Sequence, residues 1–198
     1  MIRDRYKPLP QVSVCTGGCY VSSPLNPKTV SITSPAVDVM TDLERIPPAT
    51  IEPQSTLYHA NQAMILRGVR LLLVTGANDR ISGVVTARDL LGEKPVRIAR
   101  ERGVKRDELE VRDVMTPLEG MEAIEMAAVA NAKVGHIVAT LQSCGRQHAL
   151  AIERNAAGEQ VLRGIFSVSQ IARQMGVELT THEVARTFAE IEAAFAGV

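Results

Sequence analysis

The tetrapeptide Asp38-Val39-Met40-Thr41 recurs unchanged as Asp113-Val114-Met115-Thr116, and each copy leads into the same succession of patterns. In the first copy the succession ends on Gly83-Val84-Val85-Thr86-Ala87-Arg88-Asp89, and in the second on Gly164-Ile165-Phe166-Ser167-Val168-Ser169-Gln170. The steps from Met40 to Met115 and from Gly83 to Gly164 are nearly equal, so the chain is an internal duplication. Two related folding units in tandem leave a cleft between them, and that cleft is the first place to look for a ligand.

Local patterns give both units the order strand, helix, strand, strand, helix. In the first copy, Ala49-Thr50-Ile51 supplies a short strand, and Ser55 is the expected N-cap of a helix that turns Leu57, Ala60 and Met64 to one face and closes at Gly68. Leu71-Leu72-Leu73-Val74 and the run from Ile81 to Val85 flank Gly76-Ala77-Asn78-Asp79, which is a β-hairpin pattern. In the second copy, residues 122–128 are expected as the first strand and Asn131 as the cap. Val134, Ile137, Val138 and Leu141 form the helix face, and Gly145 is the stop. Residues 149–152 and 161–166 pair around Asn155-Ala156-Ala157-Gly158.

Three segments lie outside this repeat. Residues 1–34 hold Pro8, Pro10, Pro24 and Pro27 and read as an extended arm. Its Val12, Val14, Tyr20, Val21, Val30 and Ile32 suit a short strand lying on the module or on a neighbouring subunit. Residues 93–112 mix Lys and Arg with Glu; Glu93, Arg97 and Glu101 stand four apart, as along an exposed helix. After Gly176, Thr180-Thr181-His182-Glu183 has capping-box spacing, and Val184, Phe188, Ile191 and Phe195 form one apolar stripe, packed either on its own module or on another subunit. The expected boundaries are an arm over 1–34, repeat units over 35–104 and 105–176, and a helix over 177–198.

Composition narrows the function classes. Lys plus Arg and Asp plus Glu are each 22, aromatics are 3% and Trp is absent, so neither the charge nor the stacking platforms of a nucleic-acid binder are present. No apolar run nears the roughly 20 residues of a membrane span, and the N-terminus lacks a signal core, which predicts a cytoplasmic address. Cys15, Cys19 and Cys144 are an odd number without a second paired motif, so neither a disulfide framework nor a structural zinc site is expected. Dinucleotide, phosphate-loop, zinc-protease and nucleophile-elbow motifs are missing, so the chain is not expected to be an enzyme.

Thr86 falls where a strand gives way to a helix, with Asp89 three residues on. Its hydroxyl and the free N–H groups of the first helical turn suit a phosphate, and the carboxylate suits vicinal ribose hydroxyls. The same spacing is also a helix cap. Ser167 and Gln170 repeat the pattern with a neutral amide in place of the acid, and they too suit a capping box.

The doubled Asp-Val-Met-Thr, the Gly-x-x-Thr-x-x-Asp stretch and the shared order of elements together resemble a CBS-domain pair, a regulatory module that in many proteins binds adenosine-containing ligands. The resemblance covers about residues 36–176. It implies an α/β fold of two βαββα units packed through their sheets about an approximate two-fold axis, and a homodimer formed through helices. It implies that Thr86 and Asp89 hold phosphate and ribose, with Arg88 adding a cation and Val85 and Leu72 flanking the base, and Thr50 is also expected among the ligand-binding residues. Arg67 and Arg70 in the first copy, and Arg146 and His148 in the corresponding place of the second, border the clefts. Ser167 and Gln170 mark a weaker second site. The implied function is a stand-alone sensor of AMP, ADP, ATP or a related adenosyl compound, with no required cofactor or metal, that signals through a partner protein or its own oligomer. The alternative is a homodimeric scaffold with empty clefts.

Overall fold

The computed structural model describes residues 10–13, 29–76, 80–177 and 188–193. Cys15, Cys19, Val14, Tyr20 and Val21 of the arm, the turn over 77–79, and Thr180–Val184 and Phe195 of the last stripe lie outside the described residues. The strands are β1 (Thr41–Asp42), β2 (Thr50–Ile51), β3 (Leu71–Thr75), β4 (Ile81–Thr86), β5 (Thr116–Pro117), β6 (Ile124–Glu125), β7 (His148–Arg154) and β8 (Gln160–Ser167). The helices are α1 (Leu57–Arg67), α2 (Ala87–Leu91), α3 (Glu93–Arg102), α4 (Val111–Val114), α5 (Met126–Val129), α6 (Val134–Ser143) and α7 (Val168–Gln174). No described helix is long and apolar enough to cross a membrane.

The helix faces fall where the 3.6-residue period puts them: Leu57, Ala60 and Met64 of α1, and Val134, Ile137, Val138 and Leu141 of α6, are all buried. Gly68 and Gly145 close these helices in the left-handed region, at φ 64° and 60°. The caps differ from expectation. Thr56, not Ser55, caps α1, its hydroxyl accepting from the His59 N–H at 3.2 Å, while the Ser55 carbonyl accepts from Val111 N–H. At α6 the first turn is closed by His136, whose Nδ1 accepts from the Lys133 N–H at 2.9 Å. Asn131 instead sits just after α5 and donates to the Ala127 carbonyl. The expected strand over 122–128 shrinks to β6, because residues 126–129 coil into α5. The basic segment α3 is not wholly solvated: Arg97 and Glu101 pair at 3.8 Å on its outer side, but Pro95 and Ala99 are buried.

Two four-stranded sheets result, in the orders β2-β3-β4-β5 and β1-β8-β7-β6. Each therefore takes its edge strand from across the repeat. Thr41 and Asp42 pair antiparallel with Ile165 and Gly164, whereas Thr116 and Pro117 pair with Val84 and Gly83. The preceding turns follow: Ala36 and Val39 enter the core around Phe166, while Val111 and Val114 enter the core around Leu72 and Val85. This crossing explains why the two repeated motifs travel together. A Cβ on Gly83 would stand 2.6 Å from the Thr116 carbonyl oxygen and 3.1 Å from the Met115 sulfur, and one on Gly164 would clash with the Met40 sulfur. The glycine is the space into which the methionine segment of the doubled tetrapeptide fits.

Gly83→Ala is expected to destabilise the chain by about 1–3 kcal/mol, the usual range for forced overpacking. Gly164→Ala should cost less, because a thioether can rotate aside whereas a carbonyl held in a ladder cannot. Urea unfolding of both variants checks this, and the reverse order would show that the exchanged strands are not tightly seated.

A third core lies between the sheets, where Leu71, Leu73 and Val84 meet Leu150, with Leu43, Leu118, Leu162 and Ile165 alongside. Strand alternation sends Leu72, Val74 and Val85 the other way, under the helices. The two-residue β1 is held by charge as well as by its ladder. Asp42 accepts from the Arg163 guanidinium and from the Glu44 N–H, and these bonds hold its carboxyl below the usual carboxylate range. Arg163 also reaches Glu44 at 2.7 Å and Glu153 at 3.7 Å. Of the last stripe, Phe188 and Ile191 are buried in the second-copy core, and Gln142 donates to Glu192 at 2.8 Å, so these residues pack on their own module. Val30 of the arm joins the same core, its N–H donating to the Gln174 carbonyl.

Candidate ligand clefts

Two cavities open between the sheets, each where a strand passes into a helix. One, of about 270 Å³, lies at the β8–α7 junction and is lined by Ser167, Ser169, Gln170 and Arg173 from that junction and by Arg67, Gly68, Val69, Arg70 and Leu71 from the end of α1 and the head of β3. Thr41, Leu43, Ile46, Pro47, Pro48, Ala49, His148 and Ile165 complete its wall. The other, of about 180 Å³, lies at the β4–α2 junction, lined by Thr86 and Arg88, by Gly145, Arg146, Gln147 and His148, and by Thr116. A pocket of about 110 Å³ holding Glu122 and Cys144 adjoins it through Met121, Arg146, His148 and Leu150. We call the two the Ser167 cleft and the Thr86 cleft.

Both are assembled by the same rule. A strand-to-helix junction comes from one copy, a helix-to-strand junction from the other, and the threonine of the doubled tetrapeptide is delivered by the crossed edge strand. Ladder register sets the correspondence: Leu71 pairs with Thr86 and His148 with Ser167. Likewise, Ala87 N–H donates to the Arg70 carbonyl and Val168 N–H to that of Gln147. The counterpart of His148 is therefore Leu71, and that of Arg70 is Gln147. The sequence reading matched His148 with Arg70, one residue out of step.

The junctions themselves differ in what the acid and the amide bond to. The Asp89 carboxylate turns back on its own helix. It accepts from the Thr86 N–H at 2.9 Å and the Thr86 hydroxyl at 2.6 Å, and it pairs with the Lys94 ammonium at 3.3 Å. Asp89 does not line the cavity; it completes a capping box, so the cap is the role this geometry displays. Gln170 forms no such cap. Its Oε1 accepts from the Thr41 hydroxyl at 3.0 Å on the wall of the Ser167 cleft, and the Ser167 hydroxyl shares a hydrogen bond with that of Ser169 at 3.0 Å. The copy with the acid thus spends it on structure, while the copy with the amide presents its polar groups to the larger cavity.

Leu72 and Val85, expected beside a base, are fully buried beneath the helices. The cleft-facing residues of those strands are their neighbours Leu71 and Val84, because side chains alternate and a one-residue slip moves a residue to the opposite face. Thr50 pairs with Leu73 in β2 and lines neither cleft, whereas its neighbour Ala49 does. Arg88, Arg70, Ser167, Gln170, Thr86 and His148 all reach a cavity wall. Sequence reasoning missed Thr41, Thr116, Pro47, Pro48 and Arg173. The signal for the threonines was present, since both close the repeated tetrapeptide.

Charge separates the clefts further. Arg67, Arg70 and Arg173 surround the Ser167 cleft, and among its described lining residues there is no Asp or Glu. The Thr86 cleft has Arg88 and Arg146, with Glu122 in the adjoining pocket. His148 lines both, partly buried by the surrounding protein. That burial, reinforced by the nearby Arg70 charge and opposed by Asp89, lowers its pKa from 6.5 to about 4, so the imidazole is neutral at physiological pH.

The family model of the CBS domain matches residues 36–95. The chain carries a CBS domain. Solved structures extend the likeness of fold beyond that stretch. An uncharacterized conserved protein from Pyrococcus horikoshii superposes with a TM-score of 0.52 at 19% identity, over 76% of this chain and 98% of its own. A CBS-domain containing protein from Agrobacterium tumefaciens gives 0.50 at 18% identity, over 79% and 98%. No curated protein matches in sequence. The CBS-domain match ends inside α3, yet the second copy repeats the register of the first strand for strand, so the fold carries the pattern past the end of that match.

Proposed function

We propose that this chain is a CBS regulatory module that binds an adenine nucleotide in the Ser167 cleft and reports its occupancy through a partner protein or its own dimer. The observation that carries the reading is the composition of that one cavity. Three guanidinium side chains suit phosphate oxygens, a row of Thr41, Ser167, Ser169 and Gln170 suits ribose hydroxyls, and Pro47, Pro48, Val69 and Ile165 offer an apolar wall for a base. Affinities of about micromolar to millimolar suit sensing of an abundant metabolite. The Thr86 cleft is the weaker site in this reading, being smaller and lacking a free carboxylate at the ribose position. For the read-out, Tyr58, Ile65 and Leu66 of α1 are exposed and apolar, whereas Phe188 and Ile191 are buried in the core of the second copy. That uncovered face is where a second copy docks.

AMP, ADP, ATP, NAD and S-adenosylmethionine, each at millimolar concentration, test the reading by thermal shift. A ligand present at 100 times its dissociation constant adds about 2.7 kcal/mol of stability, well within detection. At least one adenine nucleotide is expected to raise the Tm, and Arg173→Ala to weaken its binding about tenfold in calorimetry, equivalent to about 1.4 kcal/mol. An unmoved Tm with all five overturns the nucleotide reading. Light scattering that finds a monomer at every concentration, with and without nucleotide, removes the dimer route.

A further inference from the structure

We propose that His148 couples the two clefts, donating its one N–H to a ligand in either cleft but not to both, so that filling one weakens the other. The proposal rests on the nucleotide reading above and concerns the regulation of the same sites.

Of the described residues lining the two cavities, only Leu71 and His148 line both. They are counterparts in the repeat, each opening the second strand of its unit opposite the hydroxyl residue of a strand-to-helix junction. Leucine at both places would make a shared wall with no hydrogen-bonding preference. The chain has leucine at one and imidazole at the other, and the two nitrogens of a neutral imidazole are one donor and one acceptor. A phosphate oxygen in the Ser167 cleft and one in the Thr86 cleft, both able only to accept, therefore compete for a single proton. The charged groups facing this ring restrain it from both sides: Arg70 at the head of β3 opposes protonation and Asp89 on α2 favours it. Arg88 and Arg146 line the Thr86 cleft beside it. A second proton that would let the ring serve both clefts is disfavoured by its burial and by Arg70, so the competition is not relieved at neutral pH.

Calorimetric titration at pH 7.5 with AMP, ADP and ATP tests the coupling in the wild-type chain, in Arg173→Ala, which weakens the Ser167 cleft, and in His148→Leu, which restores the apolar pair. In the wild type the Thr86 cleft is expected to bind about tenfold more weakly once the Ser167 cleft is full than it does in Arg173→Ala at nucleotide concentrations that leave the weakened Ser167 cleft mostly unfilled. In His148→Leu, combined with Arg173→Ala and alone, the two values should agree. The imidazole 15N resonances should shift with the first equivalent of nucleotide and change again with the second, which a merely structural histidine would not do. One equivalent in the wild type and two in His148→Leu is the strong-coupling form of the same result. Equal Thr86-cleft affinities in wild type and Arg173→Ala, or one equivalent in both wild type and His148→Leu, overturn the coupling while leaving nucleotide binding intact. Absence of heat with all three nucleotides removes the nucleotide reading, and the coupling falls with it.

Discussion

Phe166→Ala is expected to lower the stability of the folded chain by about 3–5 kcal/mol, the range for truncating a buried phenylalanine. Phe166 is fully buried on β8, and its cluster draws on every part of the second half: Ala36 and Val39 from the crossed segment, Ile137 and Leu141 from α6, Ile171 from α7, and Phe188 and Ile191 from the C-terminal stripe. A sheet on one side and three separately anchored helical segments on the other leave little freedom to collapse into the void, which argues for the upper part of the range. Against a typical domain stability of about 5–15 kcal/mol, the loss is a third or more of the whole. Urea unfolding should show a lower midpoint at unchanged slope. A cost under about 1 kcal/mol would mean that this core is loosely packed and that the crossed segment is not part of it.

The second large effect is loss of stability in mild acid. The His148 pKa of about 4 in the folded chain lies below the ordinary 6.5, which applies when the chain is unfolded. Between those values the unfolded state takes up a proton that the folded state refuses, so stability falls as pH falls from 6.5 towards 4 and is flat on this account above 6.5. At 1.36 kcal/mol per pH interval the full window is worth about 3 kcal/mol, and the contact of the ring with two open cavities trims this to about 2–3. Asp42 acts in the same direction but later. Its carboxyl is held below 3.8 by Arg163, so its contribution is present above that value and disappears only as pH drops through the depressed pKa. Urea midpoints at pH 7.5, 5.5 and 4.5 should decline steeply for the wild type and much less for His148→Leu. Equal slopes in the two proteins would show that His148 is solvated well enough to titrate normally.

Much of the architecture was legible in the residues. The doubled tetrapeptide announced the duplication, and the helix faces of α1 and α6 and both hairpins followed from spacing, because apolar periodicity and turn chemistry act over a few neighbouring residues. Apart from the strand expected over 122–128, which shortens to β6 ahead of α5, what failed did so by one residue or by one partner. Ser55 and Thr56 are both competent caps, and only the bonds made by residues 110–112 decide between them. Leu72 and Leu71 are indistinguishable inside an apolar run, yet one faces the helices and the other the clefts. Spacing alone also leaves open whether the residue three on from a junction hydroxyl bonds its own helix start or the crossed strand: Asp89 bonds Thr86, and Gln170 bonds Thr41.

Local pattern was enough to establish two α/β units of one plan, since period, caps and turns are properties of short stretches of chain. The tertiary structure alone decided that β1 and β5 cross to the opposite unit, that their threonines complete the clefts, and that a histidine stands where the two clefts meet. Those outcomes depend on contacts between residues up to more than a hundred positions apart, such as Thr41 with Gln170, and no short-range pattern carries them.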